Sequence, residues 1–384
     1  MEIYFDNAAT TQVIPAVSDA VVRAMTEQYG NPSSLHHKGY EAEMAARESL
    51  ESIASLLKVQ RGELLVTSGG TESDNMALIG GARAHQREGN HLITTAIEHP
   101  AILSTMKYLE SQGFRVTYLP VDGQGVVRGE DLRAALDEET ILVSIMYVNN
   151  EIGSVQPIAE LSRIVKAYNP KILFHCDAVQ AFGKYPIRPA AEGIDLMSVS
   201  AHKFHGPKGV GFLYIRDKVR VLPLIYGGGQ QKDMRSGTEN VPGIAGMAEA
   251  ARFCYEDMEN RRRRLYEIKE YLAEGILDLG DTCIHGPRGE GGAPHVLSAG
   301  FAGVRSEVLL HALEERGIYV SSGSACASNH PAVSDTLKAI GCDKKWLDST
   351  IRFSFSDLNT MEEAGECLRA LKELVPALRR FQRR

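Results

Sequence analysis

The chain has no apolar run approaching the roughly 20 residues that span a bilayer. Its first residues, Met1-Glu2-Ile3-Tyr4-Phe5-Asp6, carry neither a basic nor an apolar stretch of the kind that directs secretion. No membrane partner is expected, and a cytoplasmic location is. Positive charge is not in excess: 42 Lys and Arg stand against 49 Asp and Glu, a net −7, so nucleic acid is not an expected ligand. The six cysteines, Cys176, Cys254, Cys283, Cys326, Cys342 and Cys367, form no CxxC pair and no Cys/His ligand spacing. Neither a disulfide framework nor a metal site is expected. No internal repeat or low-complexity segment interrupts a composition that is 43% hydrophobic and 24% charged. A chain of 384 residues exceeds what one hydrophobic core usually supports, so two domains are expected.

Between about residues 60 and 215, β-rich runs alternate with helical patterns. The strand candidates are Glu63 to Thr67, His91 to Ile97, Val116 to Pro120, Thr140 to Val148, Lys171 to His175, Ile194 to Val199 and Gly209 to Ile215. Alternation of this kind predicts an α/β fold with a mostly parallel sheet covered by helices. From Asn240 the pattern changes to a long helical region, Val241 to Leu279, followed by the elements of a smaller α+β unit. The expected division is 14–255 and 256–384, with 1–13 grouped with the latter, although pattern alone does not decide their side. Arg261 to Arg264 read as a solvated helix face.

The chemistry gathers at strand ends. Ser200-Ala201-His202-Lys203 follows an apolar run, at the edge where open α/β sheets bind ligands. Lys203 offers an amine, and Ser200 and His202 offer donors to a phosphate. A second run delivers Asp177 and Gln180 to the same edge. A Schiff-base lysine and an aspartate for a pyridinium nitrogen are the minimum equipment for pyridoxal 5'-phosphate chemistry. Ser68-Gly69-Gly70-Thr71 reads as a glycine turn opening a helix whose free N–H groups attract an anion. His99 and Asn150 end two further strands. Arg352 lies in an alternating strand pattern and suits capture of a carboxylate. The segment Ser321 to Pro331 is small and polar, so Cys326 is expected on a mobile exposed loop, where a thiol is a liability unless it reacts.

The set resembles the pyridoxal 5'-phosphate-dependent cysteine desulfurases of the NifS/IscS family, within the class-V aminotransferases. The likeness runs from Asp6-Asn7-Ala8-Ala9-Thr10-Thr11 through Gly30-Asn31-Pro32-Ser33-Ser34 to Ser349-Thr350-Ile351-Arg352-Phe353-Ser354. Ser321-Ser322-Gly323-Ser324-Ala325-Cys326 and Arg235-Ser236-Gly237-Thr238 resemble the group whose cysteine rides a long loop. The resemblance implies the type I fold of these transferases and release of sulfur from L-cysteine, leaving L-alanine and a persulfide on Cys326. It implies that Lys203 bears the cofactor, Asp177 faces the ring nitrogen, Gln180 bonds the ring hydroxyl and His99 stacks on the ring and exchanges protons. It assigns the phosphate to Gly70, Thr71, Ser200 and His202, with Thr238 from the second subunit of a homodimer. Asn150 and Arg352 would hold the substrate carboxylate. Gly70 replaces a common alanine, a change expected to matter little. The acceptor implied is an iron–sulfur scaffold or a tRNA-thiolating enzyme, and some members use a longer tail than this one to reach a scaffold. Two other readings stay open: another class-V transamination with Cys326 incidental, and a non-catalytic scaffold of a sulfur-transfer assembly.

Overall fold

A computed structural model describes residues 2–322 and 334–381. Among the described residues twelve strands form three sheets. They are β1 (Ile3–Tyr4), β2 (Leu64–Thr67), β3 (His91–Thr95), β4 (Arg115–Leu119), β5 (Thr140–Ser144), β6 (Leu173–Asp177), β7 (Leu196–Ser200), β8 (Gly211–Ile215), β9 (Thr282–His285), β10 (Val296–Phe301), β11 (Ile318–Tyr319) and β12 (Thr350–Ser354).

The main sheet has seven strands in the order β2-β8-β7-β6-β5-β3-β4. The pairings from β7 through to β4 are parallel, whereas β8 runs antiparallel to both β2 and β7. Every residue of β3, β5, β6 and β7 is buried, as expected of strands covered by helices on both faces. The predicted strand Thr140 to Val148 stops at Ser144, and the chain then turns out to form the cleft described below. One helical stretch, Gly70 to His85, crosses the sheet through a π-helical turn at Met76–Gly80.

The second unit is built on the antiparallel sheet β12-β10-β9 and the parallel pair β1-β11. Its core gathers Ile3 and Phe5 with Leu265, Leu272, Phe301, Phe353, Phe355 and Leu371. Phe5 meets Phe355 edge to face, with ring centroids 5.1 Å apart. The following residues bridge the two sheets: Asn7 N–H donates to Ser354 O of β12 at 3.2 Å, and Thr11 N–H to His202 O, just past β7, at 2.8 Å. Residues 5–11 thus lash the small sheet to the carboxyl end of β7.

Two expectations change here. The single helix from Val241 to Leu279 is two, Val241–Tyr255 and Met258–Leu277, because Asp257 takes a left-handed φ of 57°. The arginine run is not all solvated. Arg261 sits over Phe253 and pairs with Asp357 at 3.4 Å, and Arg262 sits over Tyr185, while Arg263 and Arg264 are exposed. Among the described residues no helix is long and apolar enough to cross a membrane.

Candidate active site

The carboxyl ends of β2, β3, β6 and β7 open on one cleft of about 460 Å³, together with the chain that leaves β5. This is the edge at which open α/β sheets bind their ligands. Ten of the predicted site residues line it: Gly70, Thr71, His99, Asn150, Asp177, Gln180, Ser200, His202, Lys203 and Arg352.

Lys203 closes a short 3₁₀ turn, Ala201–Lys203, directly after β7. Its Nζ donates to Ala8 O at 2.7 Å and Ala9 O at 2.8 Å, so the Asp6–Thr11 segment supplies its carbonyl partners. Its own carbonyl accepts from Lys184 Nζ at 2.9 Å. Asp177 is the last residue of β6 and is 5% exposed. Burial pushes its carboxyl up to about 6, against the pull of the Val179 N–H and the Lys203 charge. A carboxylate so placed has much to gain from a flat cation laid over it.

The phosphate-sized end of the cleft is shaped by missing side chains. Gly69 has φ 146°, a conformation L side chains rarely adopt, and a Cβ there would lie 3.2 Å from Ser200 Oγ. A Cβ on Gly70 would lie 2.8 Å from Val179 Cγ2. This qualifies the expectation that alanine at 70 matters little, since the stiff, β-branched Val179 has to yield first. The helix opening at Gly70 adds first-turn N–H groups that have no intrahelical acceptor.

His99 caps the helix Pro100–Ser111, with Nδ1 accepting from Ala101 N–H at 3.1 Å. The neutral ring therefore carries its proton on Nε2. Burial and the nearby Lys203 charge lower its pKa to about 4, and similar causes lower His202 to about 4. Both rings are neutral at pH 7. Arg352 is 2% exposed, and its two Nη atoms donate to Asn150 O at 2.9 Å and Asp6 Oδ1 at 2.8 Å. Its buried Nε has no hydrogen-bond partner among the described residues.

Beneath the cleft lies a polar layer that the sequence reading missed. His175 bonds Ser144 Oγ at 2.8 Å and Ser198 Oγ at 3.0 Å, across β5, β6 and β7. Asp74, 1% exposed, brings Oδ1 to 3.7 Å from His175 Nε2. Glu98 accepts from Thr95 Oγ1 and Met146 N–H, and burial raises its carboxyl to about 8. The signal was available. His175 and Ser198 stand two residues before Asp177 and Ser200, on the same face of their strands.

A lysine at the cleft, a buried carboxyl on the next strand and a glycine-lined anion cradle fit a flat phosphorylated pyridine. The chain matches the family model "Aminotransferase class-V" over residues 3–366. The chain belongs to the class-V aminotransferase family. Like the family, it depends on pyridoxal 5'-phosphate, and its architecture is the type I fold of such transferases. This class-V chain is 45% identical to "NifS/IcsS protein homolog" of Lactobacillus delbrueckii subsp. bulgaricus, covering 97% of each. It is 43% identical to "Cysteine desulfurase IscS" of Dictyoglomus turgidum, covering 98% of this chain and 95% of the relative. Among solved structures, "NIFS-LIKE PROTEIN" superposes with a TM-score of 0.93 at 41% identity, over 98% of this chain and all of that one. The structure titled "SspA in complex with cysteine" superposes at 0.80 with 32% identity, over 94% and 100%.

One predicted site residue lies away from the cleft. Thr238 is exposed, in a loop whose Arg235 pairs with Glu72 at 2.9 Å. Cys326 lies outside the described residues. Of the other cysteines, Cys176, Cys254 and Cys367 are buried, and Cys283 and Cys342 are partly so.

Proposed function

We propose that this chain is a cysteine desulfurase that takes the sulfur of L-cysteine onto Cys326, leaves L-alanine and passes the sulfur to an acceptor protein. The observation that carries the reading is one cleft holding Lys203 and Asp177 on the ends of adjacent strands, in a chain whose relatives bear that activity in their names. Lys203 would bear the cofactor, Asp177 would lie under its ring nitrogen, and Gly70, Thr71, Ser200 and His202 would hold its phosphate. When bound, pyridoxal 5'-phosphate supplies a cationic ring that takes up the electron pair released at the substrate Cα. Lys203, released from Ala8 O and Ala9 O, moves the Cα proton. His99, a neutral imidazole, would stack on the ring, and it presents its Nε2 proton to the cleft. Arg352, its charge held in place by Asp6, takes the substrate carboxylate with Asn150.

The Cys326 thiolate attacks the substrate sulfur. The S–S bond forms as the C–S bond breaks, and the carbon keeps the electron pair and takes a proton, which accounts for alanine. A second copy of the chain completes the enzyme by bringing Thr238 to the phosphate. Exposed Val22, Met25, Tyr29, Leu35, Tyr40 and Tyr226 support such a partner. Of three hydrophobic clusters, two lie within 14–255 save for Ala293 and the third within 1–13 and 256–384, which supports a division into 14–255 and 256–384 with 1–13 joining the latter. The acceptor proposed is an iron–sulfur scaffold or a tRNA-thiolating enzyme.

Mass spectrometry after brief exposure to L-cysteine tests the reading. One extra sulfur on the Cys326 peptide supports it. Sulfur on Cys342 or Cys176, or normal alanine release by Cys326→Ser, overturns it.

A further inference from the structure

Among the described residues, Gln180 is the one amide of the cleft held from both ends. Its Nε2 donates to Ala8 O at 2.9 Å, and its Oε1 lies 3.3 Å from His295 Nε2. A carbonyl oxygen cannot donate, so the Ala8 contact requires the amide nitrogen on that side and the amide oxygen toward His295. His295 must then carry its proton on Nε2. The imidazole is 1% exposed, and its Nδ1 has no hydrogen-bond partner among the described residues. Burial keeps the ring neutral by moving its pKa well below 6.5, so it has one N–H to give. An amide carries two N–H donors, and with one on Ala8 the other is left for the cleft that Gln180 lines.

We propose that His295 is a positioning residue: by donating Nε2–H to Gln180 Oε1 it locks the Gln180 amide as a hydrogen-bond donor to the cleft, selecting a cofactor whose ring carries an acceptor oxygen there. Flipping the amide would set its oxygen against Ala8 O and lose both contacts. His295 directly precedes β10, and its carbonyl accepts from Phe355 N–H at 2.9 Å. The lock therefore anchors in the small sheet, on the strand pair that includes Arg352. The inference rests on the reading of the cleft as a pyridoxal 5'-phosphate site with Gln180 on the ring hydroxyl.

The test compares binding of pyridoxal 5'-phosphate and of its 3-deoxy analogue, which lacks the ring hydroxyl, to cofactor-stripped protein by fluorescence titration. One well-made hydrogen bond to an acceptor of this kind corresponds to about a tenfold preference for the natural cofactor in the wild type. His295→Phe keeps the ring volume but not the N–H, and its preference falls below about threefold. His295→Gln, whose amide nitrogen reaches the place of Nε2, offers an N–H to Gln180 and restores most of it. Gln180→Met falls as His295→Phe does, and adding His295→Phe to it causes no further loss. A His295→Phe protein that melts like the wild type and keeps the full preference overturns the lock. If His295→Phe does not fold, His295→Gln against Gln180→Met decides: a His295→Gln protein as indifferent to the hydroxyl as Gln180→Met overturns it too. Failure of the underlying reading looks different, because the wild type would then bind both compounds equally or neither.

Discussion

Asp177 should cost the cofactor-free protein stability at neutral pH, and Asp177→Asn should recover it. The carboxyl is buried at the end of β6, accepts the Val179 N–H at 2.9 Å and is raised from 3.8 to about 6. Below pH 3.8 it is protonated both folded and unfolded, and contributes nothing. Between 3.8 and about 6 the unfolded chain gives up the proton while the folded chain retains it, so stability falls as pH rises. Above about 6 the loss is complete, at about 3 kcal/mol from 1.36 kcal/mol per pH unit. Asparagine keeps an oxygen for the Val179 N–H but has no charge to bury. Urea melts of the stripped proteins should therefore converge near pH 4 and separate by pH 8, with the variant about 2–3 kcal/mol more stable. Addition of pyridoxal 5'-phosphate should reverse the order, because the ionised carboxylate then has a cationic ring to pair with. A stripped variant no more stable than the wild type at pH 8 would refute the view that burial dominates this carboxyl.

Three further outcomes are expected. Arg352→Lys gives up the two-pronged hold on Asn150 O and Asp6, and should raise the KM for L-cysteine by about 10- to 100-fold with the melting temperature little changed; steady-state kinetics check this. Gly70→Ala pushes Cβ against Val179 Cγ2 and should cost about 1–2 kcal/mol along with cofactor affinity, and Val179→Ala in the same chain should return most of both. His175→Phe removes the imidazole that bonds Ser144 and Ser198 in a fully buried layer, leaving Ser198 only Asp74, and should destabilise the stripped protein by about 2–3 kcal/mol in the same urea assay.

The main sheet was legible because its signal is local. Apolar runs of strand length, separated by helical patterns, specify a covered parallel sheet, and polar residues directly after such runs must emerge at its carboxyl edge. Gly70, Asp177, Ser200 and Lys203 could therefore be placed together with no knowledge of strand order. The order itself, with β8 antiparallel between β2 and β7, depends on β2 pairing with a segment more than a hundred residues away. The same holds for the carbonyls of Ala8 and Ala9 on Lys203, and for His295 on Gln180: a backbone oxygen or a lone histidine carries no mark of what it will meet. Nor could sequence show that Arg352 already spends its two Nη atoms on Asp6 and Asn150, since charge pairing is a matter of distance. Residue types and their order along the chain determined which chemistry is present. Tertiary packing decided which groups are desolvated, and so why Asp177 is pushed up and His99 down, because burial exists only once distant segments close over a side chain.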